Sequence, residues 1–391
     1  MIPRLSPDDL NRIIDIRHDL HAHPELGYQE TRTSGVVQRE LTRLGVEFRA
    51  GLAGGTGVLG YIPATIEGGE TIALRADMDA LPILENTGVA YASKTPNVMH
   101  ACGHDGHTSI LLGTATVLTQ LYERPHNVLL VFQPAEEGGA GGKKMCEDGV
   151  LQGKVLGNPA DRIFGLHCHP YTMVGQVATC VGPMMASADS FHAKITGQGG
   201  HAAMPHSTID PVVVTSQIIL AWQTIASRNI SPIDPVVVTV AEVHAGVAHN
   251  VIPDFVEISG TIRAFSEDAR LVSVRRLVEI ADNIAKAHGA KFEIEWMVGY
   301  PVTKNDAEAE SRWRNALQDF SGEVLPDPVQ PVMGAEDFSF YGAQTKACFY
   351  WLGLNTRPDV KYPNLHAPEF DFNDQAIPYG IEAMCRLALA S

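Results

Sequence analysis

Several features that would place a chain at a membrane or on a nucleic acid are scarce here. No run approaches the roughly 18 apolar residues that a bilayer-spanning helix needs. The opening Met1-Ile-Pro-Arg-Leu-Ser-Pro-Asp-Asp is neither a basic nor an apolar leader. No membrane partner is expected, and the default location is the cytoplasm. Positive charge is in deficit: 29 Lys+Arg stand against 45 Asp+Glu in 391 residues, a formal net charge of −16. Phosphate backbones would be repelled unless a local basic stripe intervened, and no Lys/Arg run is long enough to make one, so nucleic acid is set aside as a partner. The six cysteines (Cys102, Cys146, Cys168, Cys180, Cys348 and Cys385) show no CxxC pair and no regular spacing. Neither a disulfide framework nor a zinc knuckle is indicated, and reduced thiols are expected. Internal repeats and low-complexity segments are lacking too. With 45% hydrophobic residues the chain can fill more than one core, which excludes disorder as its main state.

Histidine, by contrast, is abundant. Sixteen occur, three of them within His100–His107 and two within His167–His169. Histidines gathered beside cysteine and acid are what a metal or acid/base site requires.

Along the chain, Ser6-Pro7-Asp8-Asp9 reads as a helix cap with proline in the first turn, opening a helix that His23-Pro24 stops. A second helix is predicted from about Glu30 to Leu44. Short apolar runs follow at Gly57–Ile62, Thr71–Arg75, Val128–Phe132, Ile163–His167 and Gln176–Val181, with a helix near Gly106–Leu121. That rhythm predicts an α/β layer around a largely buried sheet. Gly138–Gly142 reads as a flexible loop. From about Ser187 the order becomes βαββαβ: a strand at Ser190–Thr196, a helix opened by Asp210-Pro211, strands at Val236–Val243 and Phe255–Phe265, a helix opened by Ser266, and a strand at Lys291–Met297. This is the split-βαβ, ferredoxin-like pattern. The fold expected is a catalytic α/β sandwich with a mixed sheet (residues 1–184 and 300–391), interrupted by an inserted ferredoxin-like lid or dimerisation domain (residues 185–299). The chain ends in a helix near Asp374–Leu389.

The densest chemistry is Met99-His100-Ala101-Cys102-Gly103-His104-Asp105-Gly106-His107. In extended backbone alternate side chains share a side, so Cys102 and His104 can face one ion, and Gly103 and Gly106 permit a sharp path. The alternative is a small buried cysteine beside helix-capping histidines. Val128–Phe132 leads into Gln133-Pro134-Ala135-Glu136-Glu137-Gly138. Adjacent carboxylates at the end of an apolar strand repel one another and are tolerable in water or beside a cation. One can ligate while its neighbour accepts a proton from water, a division of labour that metal-assisted hydrolysis uses. Phe164-Gly165-Leu166-His167-Cys168-His169 offers a further histidine. Asn364-Leu365-His366-Ala367-Pro368 and Asp77-Met78-Asp79 face either a site or only local structure.

Taken together and in order, these stretches resemble the aminoacylase/carboxypeptidase family of two-metal hydrolases (peptidase M20 type). The branch resembled is that of hippurate hydrolases, N-acyl-amino-acid amidohydrolases and auxin-conjugate hydrolases. The resemblance rests on Arg17-His-Asp-Leu-His21-Ala-His-Pro-Glu25, Ala73-Leu-Arg-Ala-Asp77-Met-Asp79, His100–His107, Phe132-Gln-Pro-Ala-Glu-Glu-Gly138, Gly199-Gly-His-Ala-Ala-Met-Pro-His206, His249-Asn-Val-Ile-Pro, Gly260-Thr-Ile-Arg263, Gly334-Ala-Glu-Asp-Phe-Ser and Leu365-His-Ala-Pro. It implies two divalent ions (Mn, Zn, Co or Ni) bridged by Cys102, with His104, Glu137, His167 and His366 completing the ligands and His169 as the less favoured alternative to His167. Glu136 would be the general base. The family's usual His-x-Asp pair reads Asp77-Met-Asp79 here, so His104 takes the place of the missing histidine and Asp79 orients it. From the lid the resemblance points to His201 as a donor to the transition-state oxyanion, and to Asn250 and Arg263 beside the substrate carboxylate. Arginine suits that role through its planar fork, although Arg263 could equally pair with a local acid.

The activity implied is hydrolysis of the amide bond of an N-acyl amino acid by a homodimer or homotetramer assembled through the lid. Competing readings are a metallo-aminopeptidase or carboxypeptidase acting on short peptides, a thiol enzyme with Cys102 as nucleophile and His104 or His107 as base, and a non-catalytic metal-binding descendant.

Overall fold

The computed structural model describes residues 5–326, 329–359 and 361–390. They divide into two compact units, one of Met1–Met184, Lys304–Gln330 and Asp337–Ser391, the other of Met185–Thr303 and Pro331–Glu336. Among the described residues no helix is long and apolar enough to cross a membrane.

The first unit opens with α1 (Pro7–Ala22), capped as its sequence requires: the Ser6 hydroxyl accepts the Asp9 amide at 3.1 Å, and Pro7 sits in the first turn. After it come α2 (Thr31–Arg43), β1 (Glu47–Leu52), β2 (Gly57–Ile62), β3 (Thr71–Asp77), α3 (His104–Gln120), β4 (Asn127–Gln133), α4 (Gly141–Asp148), β5 (Arg162–Met173), β6 (Gln176–Ala178) and β7 (Gly182–Met185).

In the second unit, β8 (Ser187–Thr196), β9 (Gly200–His201), α5 (Pro211–Thr224), β10 (Val236–Ala245), β11 (Val251–Ile252), β12 (Phe255–Ala264), α6 (Glu267–Ala287) and β13 (Lys291–Tyr300) follow in turn. An antiparallel sheet of order β10-β12-β8-β13 forms its frame. Residues of β8 alternate between buried and half-buried, so Phe191, Ala193 and Ile195 share one face. That face meets Val214, Ile218 and Trp222 of α5 and Leu277 and Ala281 of α6 in a single core. This is the βαββαβ arrangement, and both helices start at the residues that the sequence marks, Asp210 and Ser266, whose side chains accept amides of the first turn.

The chain then supplies β14 (Thr303–Asn305), α7 (Ala307–Ala316), β15 (Glu323–Val324), α8 (Ser339–Gly342), β16 (Lys346–Asn355) and α9 (Ile377–Leu389). The large mixed sheet has the order β1-β2-β4-β3-β5-β16-β6-β15. At its centre β4, β3, β5 and β16 run parallel side by side, and every residue of β3 is buried. Open sheets of this kind collect ligands beyond the carboxyl ends of their parallel strands; Asp77 and Gln133 stand at those ends, and His167 lies within the neighbouring β5. Arg75 lies inside this apolar layer. It is satisfied by Gln133 Oε1 at 2.9 Å, Asp77 Oδ2 at 2.6 Å and Asp337 Oδ1 at 3.2 Å.

Two expectations are corrected. Gly138–Ala140 lie in a loop as expected, but the loop does not extend to Gly142, because Gly141 and Gly142 form the first turn of α4. A Cβ on Gly141 would lie 1.6 Å from the Pro134 carbonyl oxygen, and the Gly142 amide donates to Asp337 Oδ2 at 2.7 Å. Glycine is placed there by close packing. The strand of Ile163–His167 is also longer than its apolar run, reaching Met173 by pairing with β16.

Candidate metal centre

Helix α3 begins at His104, directly after Gly103 in a left-handed conformation (φ 83°), which turns the chain sharply between Cys102 and the helix. His104 Nδ1 lies 2.9 Å from the Asp79 carbonyl oxygen and 3.2 Å from Asp79 Oδ1. The Nδ1–H is therefore committed to Asp79, and Nε2, buried with no hydrogen-bond partner, is the nitrogen left for an ion. Burial disfavours the imidazolium, but the charges of Asp77 and Asp79 outweigh it and push the His104 pKa up to about 10. Asp79 also accepts the backbone amides of Glu136 at 3.0 Å and Glu137 at 2.9 Å. A single carboxylate thus fixes His104 and the Glu-Glu turn together.

His167 is set the same way. Its Nδ1 lies 2.8 Å from the Cys168 carbonyl oxygen, which leaves Nε2 facing Cys102 Sγ at 3.4 Å. His366 Nε2 lies 3.1 Å from Glu137 Oε1, and the His366 amide donates to Ala101 O at 2.8 Å. Donor atoms of Cys102, His104 and His167 fall within 4.8 Å of one another, as do those of Cys102, Glu137 and His366, and those of His104, Glu136 and Glu137. Cys102 is common to the first two sets. Burial, then the charges of Glu137, Cys168, Glu136 and Asp77, hold its thiol well above the usual range. Without a cation the sulfur stays protonated, which opposes the thiol-nucleophile reading; beside one it becomes a ligand. Buried thiol, imidazole with a free inward nitrogen and adjacent carboxylates form a donor set that fits divalent transition metals.

Other members of the sequence cluster have structural roles. His107 Nδ1 bonds Asp77 Oδ1 at 2.7 Å and its Nε2 accepts the Cys168 amide at 2.9 Å, so both nitrogens are engaged. His100 is buried, and burial pushes its pKa down to about 4. His169 turns to Thr172 Oγ1 at 2.7 Å and stacks on Trp351.

In the second unit His201 and Asn250 lie together at one end of the sheet. β9 pairs with β11, and the Ala202 amide donates to Asn250 O at 3.1 Å. Arg263 is near the other end of β12, opposite Ala188, where it bonds Thr261 Oγ1 and the Ile262 carbonyl. From Phe255 to Arg263 the strand covers roughly 27 Å at about 3.4 Å per residue. Asn250 and Arg263 are thus carried towards opposite ends of this strand.

Sequence reasoning missed a second buried network behind the first. Arg17 and His21, one turn apart on α1, reach Asp105, Asp371, Asp374 and Glu85. The available signal was their i, i+4 spacing inside the Arg17–Glu25 motif.

Comparison with known proteins identifies the family. Residues 73–390 match Peptidase family M20/M25/M40. The chain belongs to that family. It is 39% identical to IAA-amino acid hydrolase ILR1-like 4 of Arabidopsis thaliana over 97% of this chain and 86% of that protein. It is 38% identical to N-acetylcysteine deacetylase of Bacillus subtilis over 97% and 96%. The crystal structure of a Bacillus subtilis dinuclear metal-binding peptidase of the M20 family superposes with a TM-score of 0.84 at 34% identity, covering 98% of each chain. This M20 chain is accordingly a hydrolase with the family's mixed-sheet fold and a metal-binding donor set.

Proposed function

We propose that this M20 hydrolase cleaves the amide bond of N-acyl amino acids, releasing a carboxylic acid and a free amino acid. The observation that carries the reading is the sharing of Cys102 between two donor sets, Cys102–His104–His167 and Cys102–Glu137–His366, with Glu136 beside them. Divalent ions held there would polarise the acyl carbonyl and acidify a water. Glu136 takes the proton of the attacking water and returns it to the departing amine nitrogen. Asp79 holds Glu136 and His104 in place for that transfer, and His201 donates to the oxygen on which negative charge develops.

The roughly 27 Å between the two ends of β12 supports a division of labour between copies, with His201 and Asn250 from one chain and Arg263 from another. Exposed apolar side chains on α5, Val212, Val213 and Leu220, support an assembly through the second unit. All six cysteines are free and buried, in keeping with a reducing compartment such as the cytoplasm. Thiolate and imidazole ligands suit Zn, Co and Ni, and the carboxylates suit Mn. Adding each back to metal-free protein with benzoyl, acetyl, indole-acetyl and short-peptide substrates identifies both metal and acyl group.

A second reading, peptidase action on short peptides, draws on 39% identity to Thermostable carboxypeptidase 1 of Saccharolobus solfataricus over 96% of this chain. The same panel separates the two. The decisive variant is Glu136→Gln with its metal content intact, for which kcat should fall by about 10²- to 10⁴-fold. Hydrolysis within a few-fold of the parent would remove Glu136 from the mechanism.

A further inference from the structure

We infer that Arg17 is a positioning residue that fastens the two ligand-bearing segments of the metal centre to each other, and that its loss releases the ion on the Glu137–His366 side first. The inference rests on the two-metal reading above.

Arg17 projects from α1 and is fully buried. Its Nη1 donates to Asp371 Oδ1 at 2.7 Å and lies 3.5 Å from Asp105 Oδ2, its Nε donates to Asp374 Oδ1 at 2.9 Å, and its Cζ lies 4.5 Å from the centre of the Tyr91 ring. Asp105 directly follows His104 in the first turn of α3. Asp371 and Asp374 lie in the segment that follows His366. One guanidinium therefore joins the turn that carries Cys102 and His104 to the segment that carries His366. Other contacts run along the same seam. Tyr91 donates to Asp371 Oδ2 at 2.7 Å, and Phe372 packs so tightly on Gly106 that a Cβ there would lie 2.4 Å from its ring. His21 reinforces the Asp105 end, its Nδ1 lying 2.8 Å from Asp105 Oδ2.

The two donor sets depend on this seam unequally. Cys102, His104 and His167 are buried, and each histidine has its own outer bond, to Asp79 or to the Cys168 carbonyl. His366 has a side chain 51% exposed and a backbone φ of 65°, a conformation that a non-glycine residue keeps when its surroundings impose it. Its local backbone tie is its amide, which donates to Ala101 O at 2.8 Å; the rest of its placement comes through its loop, one end of which Arg17 anchors. Without the guanidinium, Asp105, Asp371 and Asp374 lose the cation they share and keep His21, the Tyr91 hydroxyl and His18 as their respective partners, which leaves the His366 segment the part free to move.

The experiment is calorimetric titration of metal-free protein with Mn or Co, supported by elemental analysis after dialysis. The parent should bind two ions. Arg17→Gln should keep one at parental affinity and hold the other about 10- to 100-fold more weakly, as expected when a partner behind a ligand is lost. His366→Ala, which removes the open-side ligand itself, identifies that ion and should give the same pattern. Arg17→Lys keeps the charge without the fork and should fall between. Equal weakening of both ions in Arg17→Gln would make the residue merely structural and overturn the inference, as would two ions at parental affinity. If Arg17→Gln does not fold, Asp371→Asn loosens the same fastening with the cation in place and should weaken the same ion about tenfold; unchanged binding overturns the inference. A parent that binds fewer than two ions instead refutes the two-metal reading.

Discussion

On the side of Cys102, His104 and His167 the proposed ligands are buried, and a neighbouring oxygen fixes the tautomer of each imidazole. On the side of Glu137 and His366 the imidazole is half exposed, its backbone is in a left-handed conformation, and its loop is held by residues from the two ends of the chain. The first half is held by hydrogen bonds made by each imidazole itself, and the second by the His366 amide's bond to Ala101 O together with the fastening behind its loop. A ligand set can thus share one sulfur and still have two different mechanical supports.

The largest effect should come from erasing the difference. Cys102 belongs to both sets, so Cys102→Ala should leave less than one ion per chain and lower kcat/KM by more than about 1,000-fold. Elemental analysis with a hydrolysis assay checks this, and one ion retained at parental affinity would show that the sulfur serves only one half.

The fastening between the halves titrates. Burial works against the His21 imidazolium, but the hydrogen bond and charge of Asp105, with help from Glu85, raise its pKa from 6.5 to about 9. The folded chain therefore holds this proton more tightly than the unfolded one. The stabilisation, about 3 kcal/mol, is fully present below pH 6.5 and is lost as pH rises through 9. Denaturant unfolding of metal-free parent and His21→Gln should show a stability gap that narrows by about that amount between pH 6 and pH 10; a constant gap would mean that His21 is not charged.

A smaller effect sharpens the contrast at the buried half. His104 holds a proton up to about pH 10 in the metal-free chain, and an ion must displace it. Affinity at this half should rise about tenfold per pH unit below that value for each proton released. Calorimetry in buffers of different ionisation enthalpy counts the protons, and none released would place the ion elsewhere.

Much of this is legible in the sequence where the signal is local. Ser6, Asp210 and Ser266 announce their helices because each cap is made within three residues. Cys102, His104, Glu136 and Glu137 stand out because they crowd at strand ends. Strand β16 has no such mark. Lys346–Asn355 is buried almost throughout, with neither alternation nor turn residues to announce it, and it is defined by long pairing with β5. The glycines of α4 suggest a loop because their value lies in contact with Pro134 and Asp337, which local sequence does not display. Arg75 within Thr71–Asp77 looks misplaced until Gln133 and Asp337 arrive from elsewhere. Arg17 and His21 hide their role for the same reason, since their partners lie up to 357 residues away.

That last separation bears on how the protein is made. The bonds from Arg17 to Asp371 and Asp374 join residues 354 and 357 positions apart, and His366 lies on the same late segment. During synthesis Arg17 can meet Asp105 early, but its bonds to Asp371 and Asp374 must wait until that segment emerges, and contacts of such long range form late in folding. Metal capture on the His366 side then reports that this segment has docked: a nascent or truncated chain that stops before Asp371 also lacks the anchor of its second ion.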